Sequence, residues 1–199
     1  MESGEKKAWD HLSTSDPDEV CKRAAVSYDP AEKTFLLKSF GADITVSPAN
    51  QSLLTRSQAG ELLLGRFGYF SKLSILWYLT SAKEMPFTGN LVNPVNLRGG
   101  QLFFRGSHIL PLDRLAEKYT GDPAAFVSKG LSLGGEQLNH GDAAIRLLPL
   151  PRIPVVLILW RGDEEFPPRA DLLFDSSCES QIALDILWSI AMMSILIMM

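Results

Sequence analysis

The last fourteen residues, Ile186 to Met199, read ILWSIAMMSILIMM, and twelve of them are apolar. Such a stretch is unstable in water, so it needs an apolar surface to pack against. As a helix its fourteen residues span about 21 Å, short of the roughly 20 residues, about 30 Å, that cross a bilayer core. Extending it back to Ile182 takes in Asp185, and an acid costs about 2.5–3.5 kcal/mol at the centre of a membrane helix and less near its end. No basic residue follows Arg169 to anchor a membrane end. The segment is therefore expected to be a buried core helix or the interface of a homodimer, with a membrane tail as the weaker alternative.

The rest of the chain has the means to supply that surface. With 199 residues, 46% of them hydrophobic, it suits one domain spanning residues 1–199 with a real core, and residues 1–7 are expected to be disordered. Its 23 acids outnumber its 19 Lys and Arg, for a net charge of −4. That balance argues against a general nucleic-acid binder, which needs a basic surface to displace phosphate counterions. No apolar segment follows Lys6-Lys7, so no secretory signal is read and a cytoplasmic location is expected. The two cysteines, Cys21 and Cys178, form no CxxC pair. They read as reduced thiols, and they are too few to hold an iron–sulfur cluster.

Periodicity divides the chain into segregated runs. Trp9 to Leu12 reads as a helical turn or two, and Asp16-Pro17-Asp18-Glu19 as a helix start that Tyr28-Asp29-Pro30 closes. Strands follow at Thr34 to Phe40, at Ile44 to Val46 and, shorter, at Ser52 to Leu54. Gly60 to Gly68 resists assignment, since its glycines weaken a helix while its leucines are too apolar for an exposed loop. Phe70 to Ala82 is a helix with Leu73, Leu76, Trp77 and Thr80 on its core face. Pro86 to Pro94 reads as a loop, and Arg98 to Gly106 as a short apolar strand between two Arg-Gly edges. Helices are expected from Leu112 to Tyr119 and from Asp122 to about Leu133, where Gly134-Gly135 stops the second. Gly141-Asp142 opens a second sheet unit, with a strand from Ala143 to Leu150 and a connection at Pro151 to Pro154. The six consecutive apolar residues Val155 to Trp160 follow, a strand covered on both faces. Asp171 to Asp175 is a short strand and Glu179 to Met199 the terminal helix. This order predicts an α+β fold of antiparallel sheets, with helices packed on one side and an apolar C-terminal helix.

Two segments carry candidate chemistry. From Asp163 to Asp175 there are five acids and one Arg, which accounts for the whole net charge. Asp163, Glu164 and Glu165 are candidate ligands for a divalent metal, and Glu164 or Glu165 a candidate general base. The alternative is a solvated turn with Arg161 and Arg169 as local ion-pair partners. Arg98, Arg105 and His108 stand beside Gly99-Gly100 and Gly106, where backbone N–H groups and guanidinium forks can hold an anion. The alternative there is a pair of glycine turns with surface arginines. Arg152 and Arg161 add two further cations for an anionic cofactor. Of the three histidines, His11, His108 and His140, the last two are candidate acids or axial ligands to a haem or corrinoid metal. No HExxH and no GxSxG is present, which removes the zinc-protease and nucleophile-elbow readings.

Several blocks resemble one family. They are Ala8-Trp9 with the Asp16-Pro17-Asp18-Glu19 helix start, Pro86-Phe87-Thr88-Gly89, Gly134-Gly135-Glu136, Gly141-Asp142-Ala143-Ala144 and Leu150-Pro151-Arg152-Ile153-Pro154. The longest runs from Leu159 to Pro168, with Leu173-Phe174-Asp175 after it. Together they resemble the domain-of-unknown-function family numbered 3786, from about residue 8 to 190. The resemblance implies a setting in anaerobic bacteria and archaea. Some relatives carry an additional four-cysteine iron–sulfur domain of the type found on corrinoid proteins of one-carbon metabolism, which this chain does not contain. The family supplies no catalytic residues to transfer.

The expectation is thus a cytoplasmic ligand- or cofactor-binding domain of anaerobic, corrinoid-linked metabolism. Its site would lie between the Arg98–His108 segment and the Asp163–Asp175 loop, for a small anionic ligand, a haem, a corrinoid or a divalent metal. The alternatives are an enzyme with Glu164 or Glu165 as base and His108 or His140 as acid, and an interaction module that docks through its C-terminal helix.

Overall fold

In the computed structural model, which describes residues 4–103 and 106–199, the chain begins with two helices, α1 (Gly4–Thr14) and α2 (Pro17–Ala24). Gly4 to Lys7 are therefore helical, where disorder was expected. Asp16 caps α2 by accepting from the N–H groups of Asp18 and Glu19. That helix stops at Ala25, in the left-handed region, earlier than the Tyr28-Asp29-Pro30 signal suggests. Tyr28 and Asp29 instead join β1 (Ser27–Asp29), the first strand of a four-stranded antiparallel meander with β2 (Thr34–Ser39), β3 (Ala42–Ser47) and β4 (Ser52–Thr55). Alternation does its usual work: Phe35, Leu37, Ile44 and Val46 face inward, and Leu36 and Lys38 outward.

The ambiguous leucine run becomes α3 (Gln58–Leu64), capped by Ser57. It leads into α4 (Gly68–Ser81). Ile75, Leu76, Tyr78 and Leu79 on α4 are fully buried, whereas Leu73 and Trp77 are only partly so. Helix α4 is enclosed on nearly all sides, so a one-faced reading of its periodicity places the core too narrowly.

The next segment departs most from expectation. Leu91 and Val92 form β5 (Leu91–Val92) inside the supposed loop, and residues after Arg98 form α5 (Gly100–Phe103) in place of a strand. Asn93 accepts from the Val95 N–H and starts a 3-10 turn at Pro94–Asn96, which turns the chain into α5 before a strand can extend. Helices α6 (Leu112–Tyr119) and α7 (Pro123–Ser132) follow as the sequence predicts.

The second sheet comprises β6 (Glu136–Leu138), β7 (Ala143–Leu150), β8 (Ile153–Trp160) and β9 (Arg169–Asp175), with β5 at its edge, in the antiparallel order β5-β9-β8-β7-β6. It opens at Glu136, earlier than Gly141, and the connection before β8 is shorter than Pro151 to Pro154. Strand β8 is buried on both faces, as its apolar run predicts. Ile153, Val155, Leu157 and Leu159 join the main core, while Val156 and Ile158 join Ala144 in a small cluster on the far face, ringed by Leu91, Leu138, Trp160 and Leu173. Helices α6 and α7 cover the core face of this sheet. The fold is α+β with two antiparallel sheets.

The terminal helix is split. Ile182 and Ala183 are extended, separating α8 (Cys178–Gln181) from α9 (Leu184–Met198). Helix α9 packs along α4, with Ile190, Ala191, Met193, Ile195 and Met198 fully buried. Its last carbonyls are met by donors from α6. Tyr119 Oη donates to the Met198 carbonyl at 2.5 Å and Lys118 Nζ at 3.2 Å, which satisfies a helix end that otherwise lacks partners. The buried-core alternative therefore holds for this segment. Among the described residues no helix is long and apolar enough to cross a membrane. Leu184, Trp188, Met192 and Leu196, four residues apart along α9, stay partly exposed.

One continuous core runs from Ala8 to Met198 through both sheets. The sheets are joined where the Phe40 N–H donates to the Leu148 carbonyl at 2.9 Å, at a bulge between Leu147 and Leu150. At that junction Gly41 and Gly134, both with φ near +70°, face each other so closely that a Cβ on Gly134 would lie 3.0 Å from the Gly41 Cα. Glycine meets both demands at once, the left-handed backbone and the close approach.

Candidate functional site

The acidic segment lies mostly in the β8–β9 connection. Asp163 Oδ1 accepts from the N–H groups of Glu165 at 2.9 Å and Phe166 at 2.7 Å. The backbone hydrogen bonds from Phe166 and Glu165 lower its carboxyl below the usual range, and in making them the carboxylate closes its own turn. Glu164, Glu165 and the Arg161 side chain are exposed. Among the described residues no group of three His, Cys, Asp or Glu is placed to hold a metal ion. Further along, Asp171 accepts from Trp160 Nε1 at 2.6 Å, and Arg169 lies over the Trp160 ring at 4.8 Å. The Arg161 N–H donates to Asp142 Oδ2 at 2.8 Å. His140 is exposed in the β6–β7 turn.

The other half of the expected site lies elsewhere. The Arg98 N–H donates to Glu179 Oε1 at 2.6 Å, and Arg98 lines a cavity of about 360 Å³ with Glu179, Ile182, Ala183, Leu184 and Leu187. No residue of the acidic loop lines that cavity. His108 meets the Trp188 ring edge-on at 5.0 Å, and its carbonyl accepts from Trp188 Nε1. Arg105 lies outside the described residues.

Arg152, expected to hold an anionic cofactor, is a structural clamp instead. Its Nε, Nη1 and Nη2 donate to the carbonyls of Arg23, Met85 and Lys22. Two of these are last-turn carbonyls of α2, where a cation offsets the helix dipole. The Arg152 N–H donates to Tyr78 Oη, and that hydroxyl donates to the Ala24 carbonyl at 2.6 Å. Burial pushes the Tyr78 hydroxyl well above the usual tyrosine range, so it stays protonated as a donor.

Asp175 is the carboxylate whose role sequence reasoning missed. It is 2% exposed. Its Oδ1 accepts from Thr88 N, Thr88 Oγ1 and Ser177 N at 2.9–3.1 Å, and its Oδ2 from Gly89 N at 2.7 Å. Burial opposes its charge, but the hydrogen bonds from Ser177 and Thr88 outweigh it and hold the carboxyl at about 2. The available signal was the Thr-Gly of one block and the Asp of another, distant in sequence and both rich in turn chemistry.

An apolar concavity lies where the two sheets meet. This groove of about 480 Å³ is lined by Val26, Leu36, Lys38, Asp43, Leu148 and Pro151, with Gly41 and Gly134 at its base. Leu36 is 43% and Leu148 38% exposed. Lys38 Nζ and Asp43 Oδ1 pair at 2.7 Å across neighbouring strands. Neither His108 nor His140 lines the groove, so it offers no imidazole to ligate a haem or corrinoid metal and does not fit those groups. Its sequence signal was slight: an apolar residue, Leu36, at an outward position of β2, and another, Leu148, just before Pro149.

A family model described as Domain of unknown function (DUF3786) matches residues 16–196. The chain belongs to this family. Neither the curated proteins nor the solved structures give a match. The DUF3786 match takes in all of α9 except Ile197 and Met198, so the apolar helix is part of the family domain. The blocks that carry the DUF3786 resemblance meet in pairs or bind other elements. Thr88-Gly89 holds Asp175, Gly134 abuts Gly41, Asp142 holds the Arg161 backbone, and Arg152 ties β8 to α2. In this DUF3786 chain they act as tertiary latches.

Proposed function

We propose that this chain is a cytoplasmic ligand-binding domain whose site is the groove between the two sheets. The ligand is a small, largely apolar molecule whose polar end meets the Lys38–Asp43 pair. The observation that carries this reading is the groove itself: a concavity of about 480 Å³ that leaves Leu36 and Leu148 partly in water, where a ligand's apolar body would cover them. The free thiols Cys21 and Cys178 support the cytoplasmic setting. The anaerobic setting belongs to the same proposal and rests on the family resemblance alone.

Binding is favoured over the carboxylate-base alternative because Glu164, Glu165 and His140 are solvent-exposed and His108 packs on Trp188, and neither the groove nor the Arg98 cavity brings two of these four candidates together. It is favoured over docking through the C-terminal helix because most of the apolar side chains of α9 are buried in this chain's own core. The test is fluorescence titration with 8-anilinonaphthalene-1-sulfonate, which has an apolar aromatic body and one sulfonate. Saturable binding is expected, weakened about tenfold or more by Leu36→Glu and by Leu148→Glu, since each places a charge against the apolar body. Both positions are exposed enough for the fold to survive, which an unchanged thermal midpoint verifies. Absence of binding in the parent chain, or binding indifferent to both substitutions, sinks the proposal.

A further inference from the structure

A second concavity, between the end of α1 and the start of α2, has the opposite character. It measures about 330 Å³ and its lining is almost entirely polar, with His11, Asp16, Glu19, Arg23 and Thr80 around a single apolar residue, Val20. Arg23 is the group to explain. It is half-buried, and of its five N–H donors only one is engaged, in a long 3.4 Å contact from Nη1 to the Ala82 carbonyl. Among the described residues no carboxylate stands within ion-pair distance of it. Burial weakens its hold on its proton, and the charge of Glu19 partly restores it. The Arg23 backbone is fixed, because its carbonyl accepts from Arg152 Nε at 2.7 Å. The guanidinium is thus an under-used donor on a rigid stem.

The charges around it select the class of ligand. Glu19 and Arg23 are four residues apart on α2, so they share one helix face. Asp16 caps the same helix through Oδ1. One cation against two carboxylates leaves the cleft net negative, which disfavours a simple anion. A molecule carrying a carboxylate and an ammonium close together satisfies both signs.

We propose that this cleft binds a small zwitterion of the α-amino-acid type, its carboxylate on the Arg23 guanidinium and its ammonium on Glu19 and Asp16. The Arg23 fork receives a carboxylate through charge-assisted hydrogen bonds, and Thr80 and Val20 border the space left for a side chain. The site is separate from the apolar groove and stands or falls independently of it.

The test is ligand-observed NMR of the full chain against each of the twenty common L-amino acids, with propionate and ethylammonium as single-charge controls. At least one amino acid is expected to bind, and neither control. Arg23→Gln is expected to weaken the binding about tenfold or more, the scale of a charged hydrogen bond. Glu19→Gln, at an exposed position where folding is not at stake, is expected to weaken it several-fold, and Leu148→Glu to leave it unchanged. The proposal is overturned if no amino acid binds, if propionate binds as well as the best amino acid, or if Glu19→Gln leaves binding intact. Should Arg23→Gln fail to fold, the Glu19→Gln result and the two controls decide the matter.

Discussion

Asp175 joins two distant parts of the chain through charge, and the strength of that junction is measurable. Its carboxylate collects three backbone N–H groups and one hydroxyl from Thr88, Gly89 and Ser177. The folded state holds the carboxyl at about 2 against an ordinary 3.8, which by linkage is worth about 2 kcal/mol. The sign follows from the direction. The folded value is the lower one, so the contribution is fully present above the unfolded value and is lost as pH falls from about 4 toward 2. Asp175→Asn keeps one acceptor oxygen but turns an amide N–H₂ toward a donor and removes the charge. At neutral pH it is expected to cost about 2–3 kcal/mol, the range for a lost hydrogen bond to a charged group. Urea unfolding of both proteins from neutral pH down to pH 2.5 provides the assay. The midpoint of the variant is lower at neutral pH with an unchanged slope, and the gap narrows as the parent carboxyl protonates. Equal midpoints at neutral pH, or a gap that stays constant down to pH 2.5, would refute the reasoning.

Two further substitutions separate structure from function. Arg152→Met removes three guanidinium bonds to carbonyls, two of them part-buried and one exposed, and is expected to cost about 2–3 kcal/mol, read as a drop in thermal midpoint; an unchanged midpoint returns Arg152 to the ligand-binding candidates. Truncation after Asp185 removes Ile186, Leu187, Ile190, Met193, Ile195, Ile197 and Met198 from the core, at about 1.5–3 kcal/mol each. That exceeds the whole stability of an ordinary domain, so the truncated chain is expected to lack cooperative unfolding by circular dichroism. A folded product would show α9 to be an accessory.

Local signals were strong where one element's chemistry decides its own structure. Asp16 and Asp122 cap the helices they were expected to start, and β2, β3, β7 and β9 fall within a residue or two of their alternation patterns. Misreadings occurred where a distant partner decides. Leu91 and Val92 are a strand only because Phe174 and Asp175 lie beside them. Leu73 and Trp77 lose their predicted place in the core because α9 and its neighbours enclose α4 from other sides. The Arg98 and Asp163 candidates are complementary in charge, but no pattern along the chain encodes whether they share a cavity. Arg152 shows the converse: a cation suited to a cofactor is consumed by carbonyls of α2 more than a hundred residues earlier.

The latches also explain why membership of the family reveals so little about what the proposed groove would bind. Gly134 and Pro151 belong to the blocks that carry the resemblance, and they form the frame of the apolar groove. Leu36, Lys38, Asp43 and Leu148, whose side chains would touch a ligand there, fall outside those blocks. Holding Gly134 against Gly41 and Arg152 against α2 sets the spacing of the sheets, and with it the width of the groove, whatever stands at the other four positions. On the proposed reading, a chain that keeps the latches and exchanges those four keeps this fold and changes what it binds. In this chain three of the four are presented by the outward positions of β2 and by the strand paired to it, where the sheet's own stability constrains side-chain identity least. On the proposed reading, ligand specificity in such a scaffold is written in outward-facing strand residues, here Leu36, Lys38 and Asp43, with Leu148 beside them.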